Sequence, residues 1–285
     1  MRHVSSTAIE AHFTPVSSAE PRQTMLSALR AHWPEYLMEG ACLGLFMISA
    51  CMVATLLEHP SSPIAERLEP GLMRRIAGGI AMALTAVCIR YSPMGKRSGA
   101  HMNPAVTLTY FALGRVRLWD AAFYIVFQFI GGAAGVSIAS LLIGPPLAHS
   151  AVDFATTVPG LYGARIAFFA ELLISTLMMS TVLAVSNRKA TARYTPLFAA
   201  ALVALFITFE SPLSGTSMNP ARTTASALHA RQWTALWVYF AAPVCGMLLA
   251  SVAYRLLHGG RVYCAKFHHE NHYRCIFRCG YGDIQ

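Results

Sequence analysis

The sequence predicts an all-α membrane protein with six transmembrane helices and two re-entrant half-helices arranged as an inverted repeat. Three observations carry this expectation. Of 285 residues, 55% are hydrophobic and 12% charged, against roughly 25% charged in an ordinary soluble domain. Six stretches approach the ~20 apolar residues that one bilayer crossing needs. The segment Ser98-Gly-Ala-His-Met-Asn-Pro-Ala-Val-Thr107 returns 116 positions later as Ser214-Gly-Thr-Ser-Met-Asn-Pro-Ala-Arg-Thr223, with seven of the ten positions identical.

Residues 1–35 contain Glu10, Glu20, Pro15, Pro21 and several histidines but no apolar core. They read as a disordered polar tail, not a cleavable signal peptide. The spans are expected at 36–57, 72–91, 119–143, 163–185, 194–209 and 233–257. After each Asn-Pro-Ala box the chain is amphipathic for about three helical turns, at 105–113 and 221–228. These pieces are too short to span. Asn is among the best N-caps and Pro is favoured at the first helical position, so Asn103-Pro104 and Asn219-Pro220 start two half-helices nose to nose near the midplane. A polar turn at membrane depth is tolerated where it lines a water-filled cavity.

The repeat reaches beyond the boxes. Gln128-Phe-Ile-Gly131 precedes Pro243-Val-Cys-Gly246 by 115 residues, and Glu39 in the first span matches Glu171 in the fourth. Each half, 36–143 and 163–257, therefore holds span, span, box and span. Three crossings per half place the second half upside down relative to the first, the arrangement that puts a permeation site at the pseudo-symmetric centre.

The net charge of +9 follows the connections between spans. If spans alternate, thirteen of the 22 Lys and Arg fall on one side: Arg90, Lys96, Arg97, Arg115, Arg117, Arg188, Lys189, Arg193, Arg255, Arg261, Lys266, Arg274 and Arg278. The other side holds Arg67, Arg74, Arg75, Arg165 and Arg231 beside Glu58, Glu66, Glu69 and Asp153. The positive-inside rule then places both termini in the cytoplasm, in the inner membrane if the cell is bacterial, and the basic surplus needs no nucleic-acid partner. Seven cysteines, an odd number divided between spans and tail, argue against a disulfide scaffold. No nucleophile, phosphate loop or metal-hydrolase motif occurs in the loops, so an enzyme is not expected.

Two boxes in Ser-Gly-x-x-x-Asn-Pro-Ala contexts, Arg222 after the second, and a Glu in the first span of each half closely resemble the major intrinsic protein family, the aquaporins and aquaglyceroporins, over residues 36–257. The resemblance implies a homotetramer in the lipid bilayer with one pore per subunit, conducting water and small neutral solutes. It implies that Asn103 and Asn219 donate to the permeant, that Pro104, Ala105, Pro220 and Ala221 complete the pore motifs, that Arg222 is the filter arginine, and that Glu39 and Glu171 brace the pore loops. The Asn oxygen caps its helix, which leaves the NH2 to face the lumen. Positive helix ends converging there disfavour cations and protons. Passive conduction needs no cofactor.

The rest of the filter is expected at Thr216, at Ile207 where water-selective members usually have His, and on the second span. There an ungapped count lands on Ala83, and an insertion in the longer first pore loop moves it to Ile80, Gly79 or Gly78. Such a filter is wider and less polar than a strict water filter. Thr223, Ala227, Tyr239 and Phe240 instead match the water-channel pattern. His101 reads as a loop-bracing or vestibule residue, and methionines in the spans as packing. An anion or ion channel on the same scaffold is the alternative.

The tail, 258–285, carries Cys264-x-x-x-His268 and Cys275-x-x-x-Cys279 at helical spacing, with His269 and His272 between. Cys264, Cys275 and Cys279 with His268 or His272 suit one tetrahedral zinc ion, whose binding would gate the channel. The alternative is a set of reduced cysteines beside a chance His cluster.

Overall fold

The computed structural model describes residues 23–259, 261–269 and 271–283. Eight helices build the body: α1 Met25–Glu58, α2 Leu72–Tyr91, α3 Pro104–Ala112, α4 Leu118–Ile143, α5 Gly163–Ser186, α6 Thr195–Phe209, α7 Pro220–Ala230 and α8 Val238–His258. Six of them are long and apolar enough to cross a membrane, and α3 and α7 are the short pair that follows the boxes. Large apolar side chains face outward, with Leu141 86% and Leu84 60% exposed. In a folded chain this places lipid, not water, around the bundle.

The first helix starts well before the expected boundary at residue 36. Residues 1–22 of the expected tail lie outside the described residues, but 25–35 are helical. Thr24 and Ser27 form a reciprocal capping box, satisfying two of the first backbone donors. The polar residues of this turn are paired, so helix continues without an apolar run. Asp120 of α4 receives the Tyr36 hydroxyl at 2.6 Å and pairs with His32 Nδ1 at 2.7 Å. At the other end α8 begins at Val238, later than expected, after a turn that carries the half-exposed Trp233 and Trp237.

The two halves interlock. Within them α1 packs along α4 and α5 along α8, and between them α2 packs along α6. Each half-helix packs against the last span of the opposite half, α7 on α4 and α3 on α8. The α1–α4 seam is lined by Gly40, Gly44, Gly131 and Gly135, where a Cβ on Gly131 would collide with the Gly40 carbonyl. Small residues four apart let the backbones touch, which is how helices associate where lipid removes the hydrophobic drive.

Candidate functional site

Both pore loops are built the same way. A short helical turn, Pro93–Ser98 or Ser211–Ser214, ends at a left-handed glycine, Gly99 at φ 95° or Gly215 at φ 82°. Two non-glycine residues with positive φ follow in each, Ala100 and Met102, then Thr216 and Met218. Such backbone is costly and persists only where its surroundings hold it. Here the buried acids hold it. Glu171 receives the Ser217 N–H at 2.6 Å, the Met218 N–H at 2.7 Å and the Ser214 hydroxyl at 2.8 Å. Glu39 receives the Met102 N–H and, at 2.9 Å, Gln128 Nε2. Hydrogen bonds to a charged group contribute about 1.5–3 kcal/mol each. Tyr124 and Tyr239, 115 residues apart, donate to the Ser98 and Ser214 carbonyls at 2.6 Å.

Each loop delivers its Asn to the start of a half-helix. Asn103 Oδ1 accepts from the Ala105 N–H at 2.9 Å, and Asn219 Oδ1 from Ala221 and Arg222 at 3.1 and 3.2 Å. The amides do not stand free, as the capping argument alone expects. Asn103 Nδ2 donates to the Met218 carbonyl at 2.6 Å, and Asn219 Nδ2 to the Met102 carbonyl at 2.7 Å. The two loops thus clasp each other, and each NH2 keeps one N–H for the lumen.

Asn103 and Asn219 line one cavity of about 110 Å3 together with Thr216, Ser217 and Arg222. This holds several waters at ~30 Å3 each. Ala83, Gly78 and Ile207 of the expected filter are not on its wall; Phe46, Met82, Ala86 and Val203 are. Met82 and Ala86 lie one turn apart on one face of α2, and a neighbouring position is rotated about 100° away. Gly78 packs against Leu57 and Gly79 against α6, while Ile80 is 52% exposed on the outside. The methionines also depart from expectation, for Met82, Met102, Met178, Met218 and Met247 all reach the cavity. Its wall is therefore bulkier and more polarizable than the expected filter.

Arg222 is half-buried, and its buried Nη1 has no hydrogen-bond partner among the described residues. A second arginine, Arg90, sits at the far end of the cavity with Nε and Nη1 in the same condition. Charge counting assigns Arg90 to a connection, but an arginine inside an apolar run is functional by default, and that signal stands in the sequence. Beside it His101 bridges Thr107 Oγ1 at 3.0 Å and the Ala265 carbonyl at 2.8 Å, so it braces the loop and lines the vestibule.

Ala265 belongs to the tail, which folds back over this mouth without helix among the described residues 261–269 and 271–280. The helical spacing expected of its ligands is therefore absent, and the ligand set changes. Sulfur or nitrogen atoms of Cys264, His269, Cys275 and Cys279 all lie within 4.8 Å of one another. His268 instead sets its ring against Tyr91 at 4.9 Å, and the His272 ring lies at 4.3 Å from Tyr273. Hydrogen bonds from Cys264 and Cys275, helped by His269, pull the Cys279 thiol well below its ordinary range, and the same contacts push Cys264 up. Close to them the His269 ring is raised to about 9, against the pull of its burial, by the Cys275 and Cys279 sulfurs.

Residues 26–254 match the family model described as Major intrinsic protein. Among curated proteins, the chain is 29% identical over 187 residues to an Aquaporin Z of Photorhabdus laumondii, covering 62% of this chain and 80% of that protein. It is 32% identical to an Aquaporin Z of Rhodopseudomonas palustris (62% and 77% covered) and 34% identical to Aquaporin NIP1-3 of Oryza sativa (60% and 59% covered). Its fold matches an X-ray structure of the aquaglyceroporin from Plasmodium falciparum with a TM-score of 0.65 at 19% identity, covering 78% of this chain and 95% of that one.

Proposed function

Because the chain belongs to the major intrinsic protein family, an integral multi-pass membrane family of channels and not enzymes, we propose that it conducts water and uncharged solutes of glycerol, urea or peroxide size while excluding protons and ions. The observation that carries this reading is the cavity shared by Asn103 and Asn219, whose wall also carries Arg222 and Arg90, each with a buried guanidinium nitrogen that has no partner among the described residues. The start of each half-helix carries about half a positive charge, and both starts meet at the Asn pair. A hydronium or cation entering there faces like charge in a low dielectric, where Coulomb energies are several-fold those in water. A neutral molecule finds donors on the two amides and Arg222, facing an apolar stretch of wall at Phe46, Met82, Ala86 and Val203. Phe46, Met82 and Val203 take the steric role on the cavity wall, with Thr216 and Arg222 completing the filter.

The roles of Glu39 and Glu171 are those of braces: they fix the left-handed loops that aim the Asn pair. The channel domain follows from α1 onward, with both termini in the cytoplasm and four copies assembling with one pore each. Conduction uses no cofactor; a zinc ion at the tail cluster would act on access to the pore, not on its filter. Stopped-flow light scattering on proteoliposomes, comparing water, glycerol, urea and hydrogen peroxide, tests the reading, and permeability no greater than that of empty liposomes for all four refutes it. Anion passage is the second reading, favoured by two arginines on a cavity wall that includes no carboxylate among the described residues. A chloride current in planar bilayers decides for it.

A further inference from the structure

We propose that Cys264, His269, Cys275 and Cys279 bind one zinc-class divalent cation, and that this metal knot locks Phe267 into the mouth beside the first pore loop, closing the channel. The proposal rests on the channel reading for its gating half only. Three sulfurs and one imidazole form the donor set that tetrahedral zinc takes and hard, oxygen-seeking cations do not. Metal–sulfur bonds of ~2.3 Å in a tetrahedron put sulfurs about 3.7 Å apart. Cys264 Sγ and Cys275 Sγ are 3.6 Å apart, Cys279 Sγ lies 2.9 Å from His269 Nε2, and all four atoms stay within 4.8 Å of one another. A disulfide would need ~2.05 Å, and it would use only two of the four groups.

The position of this cluster gives it a consequence for the pore. The tail is anchored on four sides of the mouth. Tyr263 N–H donates to Asn187 Oδ1 at the end of α5 at 2.7 Å, and Phe267 N–H to the Gly99 carbonyl of the first pore loop at 3.2 Å. Arg278 N–H donates to the Arg115 carbonyl at 2.9 Å between α3 and α4, and Arg274 to the Ala31 carbonyl of α1 at 2.7 Å. Phe277 stacks on His101 with ring centroids 5.3 Å apart. Between the ligands Cys264 and His269 the chain makes an arch, and Phe267 at its middle lines the pore cavity, 2% exposed, with the Arg90 guanidinium 4.7 Å above its ring. Fixing both feet of the arch on one ion therefore fixes Phe267. Without the ion the tail keeps these anchors but loses the link between the two feet of the arch, and the ordering free energy that metal binding adds there is lost from the hold on Phe267.

The test uses the purified full-length protein, with zinc content by elemental analysis and water permeability by stopped flow in proteoliposomes. Zinc at one per chain, its loss in Cys275→Ser, and a several-fold rise in permeability both in Cys275→Ser and after chelation of the wild type are the expected results. Phe267→Ala should keep its zinc, conduct at the raised level and no longer respond to chelator. Metal-free wild type, or a Cys264–Cys275 disulfide in mass spectra of unreduced protein, overturns the site. Full zinc with permeability unchanged by chelation overturns the gate. A protein that holds one zinc but never conducts, in wild type, Cys275→Ser or Phe267→Ala, keeps the site and overturns both the gate and the channel reading.

Discussion

In the first half of the repeat Tyr124 donates to Ser98 and Glu39 receives the Met102 N–H; in the second Tyr239 donates to Ser214 and Glu171 receives the Ser217 and Met218 N–H groups. Left-handed residues recur at the same offsets, Gly99, Ala100 and Met102 against Gly215, Thr216 and Met218. The halves diverge at the mouths. Val106 stands where the second half has Arg222, His101 where it has Ser217, and the first loop alone is tied down by the tail. What the halves share holds the two loops against each other. What they do not share places Arg222 on the cavity wall in the second half and the tail over the loop of the first, so the duplication supplies a symmetric centre and the differences make its two ends unlike.

The shared scaffold is where breakage costs most. Gly131→Leu drives a side chain into the Gly40 carbonyl across the α1–α4 seam, and overpacking on this scale costs about 3 kcal/mol or more. We expect no folded protein in detergent extracts by size-exclusion chromatography. Gly246, its counterpart in the second half, faces the Leu172 carbonyl in the same way, so Gly246→Leu should fail likewise; a folded, conducting Gly246→Leu would break the equivalence of the halves.

Next in size is the divergent pair. Arg222→Val makes the second half resemble the first and removes a fixed charge from a low-dielectric wall. Lowering a cation barrier by about 1.4 kcal/mol gives a tenfold leak, to be read as dye-reported proton flux in liposomes with folding intact by thermal melting. Proton exclusion equal to wild type would show that the half-helix ends suffice without Arg222.

The two braces should differ. Glu171 uses both oxygens as acceptors, so in Glu171→Gln the NH2 must face a donor, at a cost of about 1–3 kcal/mol. The hydrogen bonds of Glu39 fall on Oε1, while Oε2 has no partner among the described residues, and Glu39→Gln can turn its NH2 that way. We expect Glu171→Gln to lower Tm more than Glu39→Gln; the reverse order would contradict the geometry given for the two loops.

The smallest effects fall on selectivity. Met82→Ala widens the cavity wall and should raise glycerol flux more than water flux. Ile207→His, the substitution that the sequence count singles out, should cut flux of the larger solute more than water if α6 carries the constriction there, and equal losses for both would leave the steric limit with Phe46, Met82 and Val203.

Which features were legible follows from how local their physics is. Asn-Pro capping, the duplicated boxes and the pairing of Glu39 with Glu171 are written in adjacent residues or in the repeat itself. Filter positions on α2 depend on rotational register, and an insertion in the first loop hides it, so a count along the sequence reaches Ala83 and Gly78 while Met82 and Ala86 face the cavity. The start of α1 was hidden because His32 and Tyr36 settle their polarity on Asp120, far along the chain. The tail is illegible for a related reason: its Cys and His spacing suits a helix, but the described chain there is not helical and brings His269, not His268, to the three cysteines. Charge counting places Arg90 on a connection although its run, Cys88-Ile-Arg-Tyr91, belongs to a span.

The central claim is that the Asn103–Asn219 centre passes neutral molecules and stops charge. The most direct measurement is paired stopped-flow light scattering and proton-flux recording on proteoliposomes of the chelator-treated protein. The account predicts water and glycerol permeabilities well above those of empty liposomes with proton flux equal to them. A proton or ion current that rises with the protein content of the liposomes, or permeabilities that do not exceed the lipid background, would contradict it.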